Sequence, residues 1–283
     1  MGGLFGVFSN SDCLEDLFYG TDYHSHLGTR RGGLAVINSG GFQRFIKDIT
    51  KAQFRSKFEK DINKMHGNKG IGVISDFDDQ PLIIGSHLGV FAICTVGKIN
   101  NIQDLAKEAL QNGSHFSEMY GGEINPTELV ATIISQGNSF EEGIQKLQNI
   151  IDGSCTILIL TNKGIYAARD KFGRTPLIVG EKAGSYAITM ETCAFPNLGY
   201  KITKYLGPGE VIFINKNGFE QKIPPGQKLR ICGFLWVYYG YPASSYENIN
   251  VEVVRYKCGS FLAKTDDTNV DLVAGIPDSG TAH

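Results

Sequence analysis

The order of helix-like and strand-like stretches constrains this chain more than any single residue. Between Asn101 and Ile150 the apolar residues recur at helical spacing. From Cys155 onward short β-rich runs follow at 155–161, 165–169, 176–180, 185–190 and 209–214, divided by turns such as Asn162-Lys163-Gly164 and Lys216-Asn217-Gly218. Blocks of helices and blocks of strands, instead of strict alternation, predict an α+β layered domain with largely antiparallel sheets. The helical block has three starts: Asn101 to Asp104, the proline-containing capping box Asn125-Pro126-Thr127-Glu128, and Ser139 to Glu142. The stripes Leu129, Val130, Ile133, Ile134 and Ile144, Leu147, Ile150 predict two helices lying together on a sheet.

The first eight residues form an apolar run with glycine at positions 2, 3 and 6. Such a terminus frays unless it is tied into a sheet, and its glycines admit close approach of another backbone or a ligand. Met1 before a small residue is expected to be removed, leaving the amine of Gly2 free. Asn10-Ser11-Asp12 then caps a helix carrying Leu14, Leu17 and Phe18 and ending near Gly28. A hairpin of strands 34–38 and 42–48 follows, then a helix through Phe54, Phe58, Ile62 and Met65 that Gly67 closes. Three apolar runs, 70–75, 81–85 and 88–95, read as neighbours in one sheet.

Pro224-Pro225-Gly226 marks a boundary, so the expected domains are 1–223 and 224–283. Beyond it a dense aromatic run at 231–239 predicts a strand, Val254, Cys258, Phe261 and Leu262 a helix, and 271–276 a buried strand. A strand entering Pro277-Asp278-Ser279-Gly280 normally precedes a helix in an α/β domain, so the chain is expected to be a fragment that stops just inside a second domain.

A formal net charge of -2 with 42% apolar and 20% charged residues argues against disorder, nucleic-acid partners and a polybasic membrane patch. No apolar run reaches about 18 residues and no leader precedes a cleavage site, so a cytoplasmic protein without membrane spans is expected. The six cysteines (13, 94, 155, 193, 232 and 258) have no CxxC spacing and are expected to be reduced and mostly buried; no metal site is expected. Cys13 is a thiol near the first strand, but it sits on an amphipathic helix and reads as core. His24 and His26 lie two apart and do not share a helical face, and Asp76, Asp78 and Asp79 read as a solvated acidic turn.

The run Tyr166-Ala-Ala-Arg-Asp170-Lys-Phe-Gly173-Arg-Thr-Pro176-Leu-Ile-Val-Gly180, followed by Glu191 to Phe195 and by Leu206-Gly-Pro-Gly-Glu210, resembles three ordered blocks of the amidophosphoribosyltransferases. The opening Gly2-Gly3-Leu4-Phe5-Gly6-Val7 is similar to their start, and His26 to Gly33 is a weaker match. Cys232 to Tyr239 and Pro277 to Gly280 resemble the bridge into their phosphoribosyltransferase domain. The resemblance implies a four-layer αββα sandwich of the N-terminal-nucleophile (Ntn) hydrolase type, followed by the first elements of an α/β phosphoribosyltransferase domain. That domain, absent here, is then the expected partner of this chain, and a homo-oligomer is left open.

It also implies which positions should carry glutamine hydrolysis. The family opens on a nucleophilic cysteine, where this chain has Gly2. The family's oxyanion run Asn-Gly-Asn matches Val96-Gly97-Lys98, so of the two donors only Gly97 survives. The arginine that pairs the substrate carboxylate falls at Ser75, and the aspartate that holds the α-amino group falls at Pro126. Separate losses at separate positions predict a natural paralogue without glutaminase activity, acting as scaffold or regulator or as the first part of an ammonia-dependent transferase. The alternatives are an active glutamine-dependent amidophosphoribosyltransferase of purine biosynthesis, and a small-molecule sensor in an uncharged, remodelled pocket. Cys232 matches a position that ligates an iron-sulfur cluster in some members; the other ligands would lie beyond His283, so no cofactor is expected in this chain. The glycine-rich end from Gly275 to Gly280 would cradle a phosphate only with a following helix.

Overall fold

Leu4, Phe5 and Val7 are fully buried, and each contributes about 1.5–3 kcal/mol by leaving water, which is why the first strand does not fray. The structure, a computed structural model, describes residues 2–283 apart from Glu118 and Gly121; Met1, expected to be removed, lies outside the described residues. The chain runs β1 (Gly2–Ser9), α1 (Leu14–Asp22), β2 (Arg31–Asn38), β3 (Gly41–Asp48), α2 (Phe54–Ile62), β4 (Lys69–Ser75), β5 (Leu82–Ser86) and β6 (Gly89–Ile99). Next come α3 (Ile102–Gln111), the short β7 (Met119–Tyr120) and β8 (Glu123–Ile124), α4 (Pro126–Ile134), α5 (Phe140–Ile150), β9 (Gly153–Leu160) and β10 (Ile165–Ala168). The remainder is β11 (Ile178–Lys182), β12 (Ser185–Thr189), α6 (Ala194–Leu198), β13 (Lys201–Tyr205), β14 (Val211–Asn215), β15 (Gly218–Ile223), β16 (Ser245–Tyr246), β17 (Ile249–Asn250) and α7 (Val251–Thr265).

Two antiparallel sheets stack face to face, a seven-stranded one in the order β13-β11-β12-β1-β4-β2-β3 and a six-stranded one in the order β15-β14-β10-β9-β6-β5. Leu4, Val73, Cys94, Leu158 and Ile188 fill the space between them. The alternation of β1 sends Phe5 and Val7 to the outer face, against Leu17 and Phe18 of α1 and Phe54 and Phe58 of α2. The outer face of the other sheet, with Ile93 and Ile157, packs on Leu105, Leu129 and Ile144 of α3, α4 and α5. This is the four-layer αββα sandwich of the Ntn-hydrolase type. Close approach of α1 to the sheet depends on Gly72, where a Cβ would lie 1.9 Å from Thr21 Oγ1.

Several expectations are corrected. The first helix ends at Asp22, six residues before Gly28, and a 3₁₀ turn (Ser25–Leu27) follows it. The run at 70–75 is β4, buried between β1 and β2, whereas 81–85 and 88–95 become β5 and β6 of the other sheet, because the chain crosses the sandwich through residues 76–81. The aromatic run 231–239 is not a strand: Leu235–Tyr239 is a π-helical turn with Phe234 and Tyr238 exposed. Residues 271–276 are neither buried nor paired with any described strand, with Leu272 and Val273 each 83% exposed. A strand needs a neighbour for its backbone groups, and none is at hand there.

Candidate functional site

The sheet register gathers four of the five positions singled out in the sequence. Gly2 and Ser75 are opposite one another in the β1–β4 ladder. Val96 reaches across from the second sheet, its Cγ2 lying 3.1 Å from where a Cβ on Gly2 would be, while the Ile74 carbonyl oxygen is 2.5 Å from the same point. Gly97 follows on β6, opposite Cys155, and a Cβ on it would meet the Ser154 carbonyl oxygen at 2.0 Å. Gly2 is therefore packed as a glycine, because a side chain there would collide with backbone.

Pro126, the fifth position, opens α4. Asn125 caps that helix by accepting from the N–H groups of Thr127 at 2.8 Å and Glu128 at 3.3 Å. The helix start is joined to the others by a network that sequence reading missed. The Asp78 carboxylate accepts from Thr127 Oγ1 at 2.7 Å, from Ser75 Oγ at 3.3 Å and from Gln80 Nε2 at 3.2 Å. Thr127 Oγ1 is 2.7 Å from Thr95 Oγ1, and the Thr95 N–H donates to Gln80 Oε1 at 2.7 Å. Ser75, Gln80, Thr95 and Thr127 are all buried. Two corrections follow for this corner. Asp76, Asp78 and Asp79 are only partly the solvated turn expected: Asp76 and Asp78 are half-buried, with Asp76 accepting the Thr29 N–H at 2.7 Å, while Asp79 stays exposed and pairs with Arg31 at 2.6 Å. The lining beside Val96 and Pro126 is not uncharged, since Asp78 enters it. Among the described residues the loop 75–81 supplies no cation at this corner.

No described thiol is placed or activated to replace a nucleophile at Gly2. Cys13, Cys94 and Cys155 are buried, and burial pushes each thiol far up. Cys193 is pushed up to about 12, by burial and by Glu191. Since the thiolate is the reactive form, these side chains are inert core. The Ser154 hydroxyl is buried with no hydrogen-bond partner among the described residues. Cys232 is half-buried, and no group of three His, Cys, Asp or Glu side chains among the described residues is arranged to hold a metal.

The most specific sequence blocks turn out to be structural. Arg169, fully buried, donates to the carbonyls of Thr175 (3.0 Å), Gly173 (2.7 Å) and Leu206, and pairs with Glu247 at 2.7 Å. Asp170 folds the adjacent turn by accepting from the N–H groups of Phe172 and Thr175. Glu191, 1% exposed, pairs with His26 at 3.0 Å and accepts from the Tyr241 N–H at 3.2 Å and from the Tyr246 hydroxyl. Burial works to raise its pKa, but the hydrogen bond and charge of His26, with His24 and Tyr246, outweigh that and hold it below the usual carboxylate range. His24 is buried between the Gly20 carbonyl (2.8 Å) and Thr189 Oγ1 (3.1 Å), and burial lowers it to about 4.

The family described as "Glutamine amidotransferase domain" matches residues 69–196. Amidophosphoribosyltransferase of Bacillus subtilis is 25% identical over 98% of this chain, and that of Methanocaldococcus jannaschii 27% identical over 99%. The chain spans 59% and 64% of the lengths of these two relatives. The solved glutamine phosphoribosylpyrophosphate amidotransferase of B. subtilis, complexed with ADP and GMP, superposes with a TM-score of 0.89 at 25% identity, covering 99% of this chain and 62% of that one. Sequence blocks and overall superposition agree: residues 69–196 match a glutamine amidotransferase domain, and the chain as a whole is similar to the amidophosphoribosyltransferases.

Proposed function

We propose that this domain does not hydrolyse glutamine and that it serves as scaffold and regulator for a phosphoribosyltransferase domain, within a protein that uses free ammonia or another amine. In this reading residues 224–283 are the linker and start of that second domain. The observation that carries it is Gly2: the position of the family's nucleophile has no side chain and sits 2.5 Å, measured from a Cβ, from the Ile74 carbonyl oxygen. Acyl transfer from glutamine needs a nucleophile, donors for the oxyanion and charges for the amino acid's two ends. Val96 offers no donor at the first oxyanion position, and loss of one such donor typically costs about 10² to 10³ in rate. The cation for a carboxylate is replaced by Ser75, and the Asp78 carboxylate beside it would repel that same group. Asp78 instead satisfies Thr127 and Gln80, so the corner is complete without a ligand.

The test is ammonia release from glutamine, with calorimetric titration of glutamine alongside it, for the natural chain and for Gly2→Cys. Neither protein is expected to turn over or to bind. Turnover by the natural chain, or its recovery in Gly2→Cys alone, would overturn the proposal.

A further inference from the structure

At the far end of β1 from Gly2, about 20 Å away at 3.3 Å per residue, the turns of both sheets border a separate, open cleft of about 600 Å³. Its cations come from three segments: Lys69 from β4, Lys163 from the β9–β10 turn and Lys216 from the β14–β15 turn. Its other lining is five asparagines and two phenylalanines, Phe8 and Phe213, and it contains no acidic residue. None of the three lysines has an ion-pair partner among the described residues. In a chain of net charge -2 this is a local reversal of sign. Lys69 is the most informative of the three. Its side chain is partly buried, with Nζ 5.7 Å from the Phe8 ring centroid and 3.4 Å from Asn68 Oδ1, and burial lowers its pKa with no carboxylate opposing. Beyond Phe213, Lys222 lies 5.8 Å from the ring centroid and is already paired with Glu220.

We infer that this cleft binds a small phosphorylated molecule, with the phosphate among Lys69, Lys163 and Lys216 and the organic part against Phe213. Converging ammonium groups suit a compact multivalent anion, and carboxamides both donate and accept, as sugar hydroxyls require. The volume is that of an ordinary small-ligand site. The site does not depend on the state of the Gly2 corner.

Inorganic pyrophosphate, glucose 6-phosphate and glucose, each titrated by calorimetry into the intact chain, test the inference. Both phosphate probes are expected to bind, glucose is not, and about 0.3 M salt should weaken the binding. Lys163→Gln with Lys216→Gln should weaken both phosphate probes about tenfold, while Lys228→Gln with Lys264→Gln should not. Both pairs are exposed, so folding should survive, and unchanged urea midpoints confirm it. No phosphate binding, equal losses in the two double variants, or tighter binding of a DNA oligonucleotide through the same lysines would overturn the assignment.

Discussion

Removing the Glu191 carboxylate should detach the segment after Pro224 and leave the sandwich standing. Glu191→Ala strips the acceptor from the Tyr246 hydroxyl and the Tyr241 N–H, and removes the partner of His26 Nε2. Hydrogen bonds to a charged acceptor are worth about 1.5–3 kcal/mol each, so three counted independently give about 5–9 kcal/mol. That sum is too large: His26 is 32% exposed, and water takes over there. The two bonds kept from water, to Tyr246 and Tyr241, give about 3–6 kcal/mol, and the lower figure is used here. The assay is supplied by the chain itself, whose single tryptophan, Trp236, lies in this segment. Trp236 is edge-on to Tyr246 with ring centroids 5.6 Å apart, and its Nε1 donates to the Ile249 carbonyl at 2.9 Å. For a segment this short, a urea dependence of about 1 kcal/mol per molar converts ~3 kcal/mol into a midpoint lowered by about 3 M. Tryptophan emission should shift red at that lower urea concentration while the far-ultraviolet dichroism of the sheets holds. A fluorescence midpoint moved by less than about 0.5 M, or sheet signal lost together with it, would refute the reasoning.

Other expectations concern the core and the corner beside it. His24 has a folded pKa near 4 against about 6.5 unfolded, so the unfolded chain binds the extra proton between those values. Stability is therefore full above about pH 6.5 and falls by about 3 kcal/mol as pH drops to 4, and His24→Gln should flatten that slope in urea midpoints; an unchanged slope would assign the acid sensitivity elsewhere. Gly33→Ala would place a methyl 1.7 Å from the Gln80 carbonyl oxygen, so we expect a loss of about 3 kcal/mol and a lowered thermal midpoint. A Gly33→Ala protein melting with the natural one would mean that residues 80 and 81 yield freely.

Local chemistry was legible in the sequence wherever it needed only neighbours. The Asn125-Pro126 start gave α4, with Asn125 capping it as expected while the Glu128 carboxylate accepts from the Ser117 N–H, and the turn at Ser39-Gly40-Gly41 gave the β2–β3 hairpin. What failed depended on distant partners. Periodicity marks 70–75 and 88–95 as strands, but only the crossing at 76–81 decides that they belong to different sheets. The apolar residues at 271–276 have strand propensity without a strand to pair with, and the aromatics of 231–239 curl into a π-helical turn. The four layers themselves came from family resemblance, since no local pattern encodes how two sheets stack. At the candidate site, Gly2, Ser75, Val96 and Pro126 could be read one at a time. The role of Asp78 could not, because it exists only once the loop folds back onto Thr127 and Ser75.

The place of β1 has a consequence for how the molecule is made. It precedes the other described elements in the chain, yet it lies in the middle of the seven-stranded sheet, between β4 and a strand that pairs Phe5 with Thr189. Its second edge stays open until most of the domain has been synthesised. Contacts so distant in sequence slow folding, and during that interval an apolar edge is free to pair with the wrong strand. The glycines at positions 2, 3 and 6, poor in strand propensity, weaken such premature pairing while leaving the final position tightly packed.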